Sequence, residues 1–198
     1  MLYNQRNLDV CKIASKGNGL KPVLESVMFS KNFTVATDSY RLLEISTPKN
    51  AKVGDFPKVQ GVSAMIGFSP FLVNAKMLKD KVKIPKKTNL PILQNVAVKH
   101  IHDNRVEFYT TEGTNADIQN VVRVQDTFPD YEKIFPSGKP LAEVELNGEL
   151  LAELLEVMSK LDNLQRVKIK IYGALKPVVL EAGDDNQKGR GMVMPMNR

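Results

Sequence analysis

The sequence predicts an α+β fold made of three repeated units, each one helix followed by antiparallel strands, with the helices on one face of the sheets. Three observations lead there. Apolar residues recur at intervals of three and four near residues 10–14, 71–83 and 148–160, the spacing of a helix that buries one side. Each of these segments is followed by short runs rich in β-branched and aromatic residues. Breaks bearing glycine, asparagine or proline separate the runs. The copies share an order of elements and few residues.

In the first copy, Asn7 or Asn4 is placed to cap a short helix carrying Val10, Ile13 and Ala14, and Gly17-Asn18-Gly19 is its stop signal. Strands are expected over 23–29, 33–36 and 41–46, the last ending before Thr47-Pro48. A loop near 53–58 leads to the second copy, where Phe71, Ala75, Leu78 and Val82 form one stripe and predict a helix over 71–83. Strands follow over 92–99, 105–111 and 117–124, with Asp103-Asn104 as a tight hairpin between the first two. Residues 127–140, with Pro129, Pro136 and Pro140, read as a linker. In the third copy 142–146 is a strand and Asn147 is a good N-cap for a helix over 148–160. That helix should bury Leu150, Leu151, Leu154, Leu155 and Met158. Strands over 167–172, 178–182 and 192–196 complete the copy, with Gly183-Asp184-Asp185-Asn186 as a turn.

Composition narrows the class. At 198 residues the chain can bury a real core, and 42% hydrophobic with 25% charged residues is ordinary for a soluble globular protein. No apolar run is long enough to cross a bilayer, and Met1-Leu2-Tyr3-Asn4-Gln5-Arg6 has no apolar stretch of a secretion signal. A single cysteine, Cys11, excludes an intramolecular disulfide and suits a reducing cytoplasm. The net charge of +6 is compatible with a polyanionic partner without requiring one. The charge is unevenly spread. Lys76, Lys79, Lys81, Lys83, Lys86 and Lys87 crowd one segment, whereas Glu143, Glu145, Glu149, Glu153 and Glu156 crowd another.

No catalytic constellation is visible, and the chain reads as a non-enzyme without a cofactor. His100 and His102 would share a strand face, but two imidazoles with no third ligand nearby in sequence make a poor metal site. Gly17-Asn18-Gly19 lacks the preceding strand and third glycine of a dinucleotide loop. Cys11 has no neighbouring base and reads as a small apolar group. Asp184 and Asp185 sit in a solvated turn. Lys76, Lys79 and Lys83 form a row at i, i+3 and i+7, suited either to phosphate oxygens of a duplex or simply to water. The ending Met192-Val193-Met194-Pro195-Met196 is unusually apolar for a chain end and reads as a last buried strand or as the wall of an adaptable binding surface.

Three segments together resemble the bacterial DNA sliding clamp, the beta subunit of DNA polymerase III. Val35-Ala36-Thr37-Asp38-Ser39-Tyr40-Arg41-Leu42 is similar to the family's A-T-D-G-H-R-L turn in the middle domain. Phe128-Pro129-Asp130-Tyr131-Glu132-Lys133-Ile134-Phe135-Pro136 is similar to the F-P-D-Y-x-x-x-x-P that ends that domain. Val193-Met194-Pro195-Met196 matches the family's V-M-P-M ending. The resemblance covers nearly the whole chain and implies a shortened form: residues 1–136 as a complete clamp-like domain of two units, and 137–198 as half of one. The family's first domain and half of its third have no counterpart.

The resemblance implies a fold, partners and site residues. Family rings contain twelve units, so a three-unit chain would close as a tetramer; a monomer or an open dimer is the alternative. The family's groove for short linear motifs of polymerases and clamp loaders lies between the middle and last domains. Carried over, it would use Leu24, Thr37, Ser39, Tyr40, Arg41 and Leu42, then Pro129, Lys133 and Ile134, and finally Pro177, Val193, Met194, Pro195 and Met196. Ser39 and Tyr40 replace the family's glycine and histidine, and Asn197-Arg198 its basic-then-apolar ending. The implied function is a cytoplasmic, non-enzymatic processivity factor that embraces duplex DNA through Lys76, Lys79 and Lys83 and tethers a polymerase. The alternative is a module without a ring that captures clamp-binding peptides.

Overall fold

The computed structural model describes residues 1–17, 21–57, 68–85, 90–100, 104–185 and 187–196, with the side chain of His100 excepted. The stop at Gly17-Asn18-Gly19, the hairpin Asp103-Asn104, both histidine side chains, Lys86, Lys87, Asn186 and Asn197-Arg198 lie wholly or partly outside the described residues. The chain folds as two compact units, Met1–Asp130 and Tyr131–Arg198. Both are mixed α+β with antiparallel strands.

Three asparagines set the repeat. Asn4, Asn74 and Asn147 each occupy an N-cap, with the side-chain oxygen accepting backbone N–H groups of the first helical turn. The distances are 3.2 Å from Asn7, 3.0 and 3.2 Å from Lys76 and Met77, and 2.9 and 3.2 Å from Glu149 and Leu150. Asparagine suits this position because its short carbonyl reaches donors that have no partner inside the helix. Each cap is preceded by a short extended segment, so the repeat is strand, helix, then three strands. The order is β1 (Leu2–Asn4), α1 (Gln5–Asp9), β2 (Ser26–Phe29), β3 (Phe33–Thr37) and β4 (Leu42–Ser46). The second copy is β5 (Phe71–Asn74), α2 (Ala75–Lys81), β6 (Asn95–His100), β7 (Arg105–Thr111) and β8 (Ala116–Val124).

The two leading strands exchange partners. The sheet order is β1-β6-β7-β8-β5-β2-β3-β4, so β1 of the first copy flanks β6 of the second, and β5 of the second flanks β2 of the first. The registers correspond: the cap residue Asn4 faces Asn95 and Asn74 faces Ser26, and one step back buried Tyr3 faces Val96 and Val73 faces Val27. This exchange joins the copies in one core. Phe29 stacks on Phe71 at 5.1 Å and meets the edges of Tyr3 and Phe108, while Leu8, Val10, Ala75, Leu78 and Val82 are buried against the same cluster. Buried Asn7 ties α1 to the sheet by donating to Thr34 Oγ1 and to the carbonyls of Ile45 and Ser46 at 3.0–3.2 Å.

Several expected boundaries are corrected. Residues 71–83 are not one helix: the apolar quartet of Phe71–Asn74 is a strand, because its four residues find ladder partners in β2 and β8, and the helix ends at Lys81. Strand β1 has no expected counterpart. Residues 23–25 lie in a turn before β2, and 91–94 form a 3-10 turn opened by Pro91.

The second unit holds α3 (Gly148–Met158), β9 (Lys168–Lys170), β10 (Val178–Gly183) and β11 (Lys188–Val193), in sheet order β11-β10-β9. The expected linker contains a 3-10 turn at Tyr131–Ile134, where Tyr131 is buried and meets Phe135 edge-on at 6.3 Å. The expected strand 142–146 shrinks to one antiparallel bridge, Leu146 with Pro195, joined by a 2.9 Å bond from Met196 N–H to Glu145 O. The last strand begins at Lys188 and ends at Val193, because Pro195 has no N–H to extend it. The helix buries Met158 but leaves Leu150 56% exposed, correcting the expected burial. Met158, Val178, Leu180 and Val193 form the small core, with Leu146, Leu151, Leu154, Leu155 and Val167 half-buried around it.

Candidate functional site

Within the first unit, the turn between β3 and β4 gathers five of the expected residues. Thr37 faces Leu42 across the ladder. Asp38 organises the reversal: its Oδ1 accepts the N–H groups of Tyr40 and Arg41, each at 3.0 Å, and its Oδ2 accepts Arg41 Nε at 2.9 Å. Thr37 Oγ1 closes the turn by donating to Arg41 O at 2.8 Å and accepting Ser39 N–H at 3.2 Å. The Tyr40 N–H, followed by the Arg41 contacts, holds the Asp38 carboxyl below its usual range. Ser39 has φ 79°, the left-handed region that favours glycine, and it stands where the resembling motif has glycine. Tyr40 is 97% exposed, so the turn presents an aromatic ring to solvent. Leu24 sits on a different element, the turn before β2, half-buried with its N–H bonded to Lys21 O. Pro129 is exposed near the end of the first unit.

Beside that end lies a cavity of about 340 Å³ lined by Met28, Pro70, Phe71, Leu72, residues 123–127 and Phe128. Arg123 Nε is buried there and has no hydrogen-bond partner among the described residues. In the sequence Arg123 looks like an ordinary alternating strand residue, and no local signal marks it.

In the second unit, β11 and its extension alternate sharply. Val193 is 5% exposed and faces the core, whereas Met192, Met194 and Met196 are exposed by more than half. The register that pairs Val178 with Val193 continues to set Pro177 beside Met194, and Pro195 bridges Leu146. Four of the expected residues therefore lie together with Val193, and Met192 joins them on the exposed face. Thioethers displayed in a row on a supported strand can receive apolar anchors of varied shape. Lys133 and Ile134 are on the 3-10 turn of the same unit, and Ile134 is 77% exposed.

The lysine row is partly redrawn. Lys76 and Lys79 are exposed on α2, but Lys83 lies past the helix end and folds back, its Nζ donating to the carbonyl of Lys79. The 3-10 turn Val10–Lys12 packs against α2, and Lys12, Lys79 and Lys83 all act electrostatically on Cys11. Lys12 thus joins the basic patch, a neighbour that only the tertiary packing reveals. Burial, then the Asp9 charge, pushes the half-buried Cys11 thiol up despite these lysines, which argues against a reactive thiolate. By contrast α3 exposes Glu149, Glu153 and Glu156. Among the described residues no group of three or more metal-ligating side chains gathers, and no helix is long and apolar enough to cross a membrane.

Neither a protein-family model nor a curated protein sequence matches the chain. Solved structures do. The DNA polymerase sliding clamp from Bacillus subtilis superposes with a TM-score of 0.66 at 16% identity, over 98% of this chain and 48% of that one. The DNA polymerase III beta chain of Streptococcus pneumoniae gives 0.62 at 14% identity over 100% and 49%. The sliding clamp from Pseudomonas aeruginosa gives 0.62 at 16% over 98% and 50%. The chain has the sliding-clamp fold, and it spans about half the length of the clamp structures it matches.

Proposed function

We propose that the protein is a non-enzymatic, sliding-clamp-like processivity factor of DNA replication, acting in the cytoplasm and needing no cofactor. On this reading residues 1–136 are a complete clamp-like domain and 137–198 half of one. The observation that carries the reading is the exposed methionine row at 192–196 on a clamp fold, supported by the Thr37–Leu42 turn, which resembles the clamp motif and exposes Ser39, Tyr40 and Arg41. Tyr40, Arg41 and Leu42 in one unit, and Pro177, Met194 and Met196 in the other, would take short linear motifs of DNA polymerases and clamp loaders, with Met and Pro burying apolar anchors and Arg41 fixing direction. Lys76, Lys79, Lys83 and Lys12 would contact duplex phosphates without reading sequence. A ring of twelve units would need four chains.

Exposed Glu149, Glu153 and Glu156 on α3 favour a second reading, since carboxylates would line a DNA channel poorly. On that reading the chain is a peptide-capturing module without a ring. Binding of a fluorescent clamp-binding peptide tests the feature common to both. Met194→Ala with Met196→Ala should abolish it, and unchanged binding would remove the groove from the account. Solution mass by light scattering, with and without the peptide, separates the two readings.

A further inference from the structure

The second unit is built like half of the first, with the flank that the first unit covers left open. In both copies of the first unit the strand following the helix, β2 or β6, takes the leading strand of the other copy along its edge. The second unit reproduces the rest of that order. Its leading segment at Leu146 lies beside Pro195 at the end of β11, as β5 lies beside β8, followed by β10 and β9. Beyond β9, where the order calls for another leading strand, no strand pairs with it among the described residues. The apolar face is open at the same place. Ile169 shares the inward face with half-buried Val167 and pairs with buried Leu180, yet is 52% exposed. On α3, Leu150 and Val157, two turns apart on one side, are 56% and 64% exposed. In the first unit the corresponding helical segments of the two copies pack on each other, α2 against residues 10–12.

We propose that a second copy of this chain covers that flank, its leading segment pairing with β9 about a twofold axis while its own β9 receives the first copy's leading segment. The first unit supplies the register. There the apolar residue before the cap asparagine faces the first inward residue of the strand, as Tyr3 faces Val96 and Val73 faces Val27. Transferred to the second unit, Leu146 faces Val167 of the other copy and Val144 faces Ile169, all on the inward side. The same register sets Glu145 opposite Lys168 on the outward side, and Glu143 beside Lys170, whose Nζ already holds Glu181 of the neighbouring strand at 2.6 Å. A twofold axis repeats the ladder, so the Glu145–Lys168 acid–base pair forms twice for one docking. Glu145 of the acidic segment thereby meets a base, Lys168, across a self-association face. Leu150 and Val157 enter a shared core, which a unit of this size needs in order to bury enough apolar surface. The inference rests on the fold of the second unit alone and stands or falls apart from DNA or peptide binding.

The test is charge reversal with cross-complementation, read by sedimentation equilibrium of the full chain. Lys168→Glu and Glu145→Lys should each weaken self-association at least about tenfold, because each sets like charges opposite one another at two places. An equimolar mixture of the two variants should restore parent-like association, since both ladders in the mixed dimer pair acid with base. Restoration also shows that both variants are folded. The proposal is overturned if the parent chain is monomeric at high micromolar concentration, if either variant associates like the parent, or if the mixture fails to recover while both variants keep the parent's circular dichroism.

Discussion

Alternation along 192–196 separates binding from stability on a single strand, and that separation can be measured. Fully burying a methionine side chain is worth about 1.5–3 kcal/mol. Met194 and Met196 are 63% and 53% exposed, so each has about 1–2 kcal/mol still to gain from a ligand that covers it. Truncating either to alanine should therefore weaken a clamp-type peptide about fivefold to thirtyfold, and the double variant should take binding below detection. Neither change should cost much folding free energy, because the removed atoms are already wet. Val193→Ala is the opposite case: its side chain is buried against Val178 and Leu180, and its loss should destabilise the second unit by about 2 kcal/mol. Fluorescence polarisation with a labelled peptide and urea denaturation of the same samples give both numbers. Methionine variants that unfold as early as Val193→Ala, or a peptide affinity that survives them, would refute this division of roles.

Ser39→Gly should stabilise the first unit by up to about 1 kcal/mol in thermal unfolding, since a left-handed serine costs about 1–2 kcal/mol and glycine returns part of the gain as backbone entropy. Asp38, Asp162 and Glu181 are held below their usual range, led respectively by the Tyr40 N–H, by Arg166 and by Lys170. Because the folded pKa lies below the unfolded one, each contribution is complete above the ordinary values of 3.8 and 4.5 and is lost as pH falls through the lowered pKa. Urea titrations from neutral to acid pH should show a shallower acid limb in an Asp38→Asn, Asp162→Asn, Glu181→Gln variant. Replacing Lys76, Lys79 and Lys83 by alanine should lower the salt-dependence slope of duplex binding by about 2.7, at about 0.9 per phosphate contact. An unchanged slope would free those lysines from the DNA face.

What was legible from the sequence is what local chemistry dictates. Asn147 before a run of leucines announces its cap, whereas Val193, expected among the groove residues, turns inward to the core. Strands β3, β7 and β10 begin at the expected residues, Phe33, Arg105 and Val178. What escaped depends on partners distant in sequence. Leu2–Asn4 is a strand only because Val96 and Ala97 arrive to pair with it. Phe71–Asn74 carries the same apolar spacing as the helix after it, so period alone cannot divide them, although Asn74 held the clue as a cap. Leu150 looked buried because a leucine-rich helix has more apolar width than three strands can cover. Lys12 enters the basic patch through packing of the Val10–Lys12 turn on α2, which no local pattern encodes.

The central claim, a protein that embraces duplex DNA, is tested most directly by topology. The chain would be allowed to thread onto immobilised linear duplex through a free end, after which that end is blocked and the DNA washed in high salt. Electrostatic contacts fail in that wash, whereas a closed ring stays until the duplex is cut. The account predicts retention through the wash and release on cleavage. Loss in the wash whether or not the ends are blocked would contradict it.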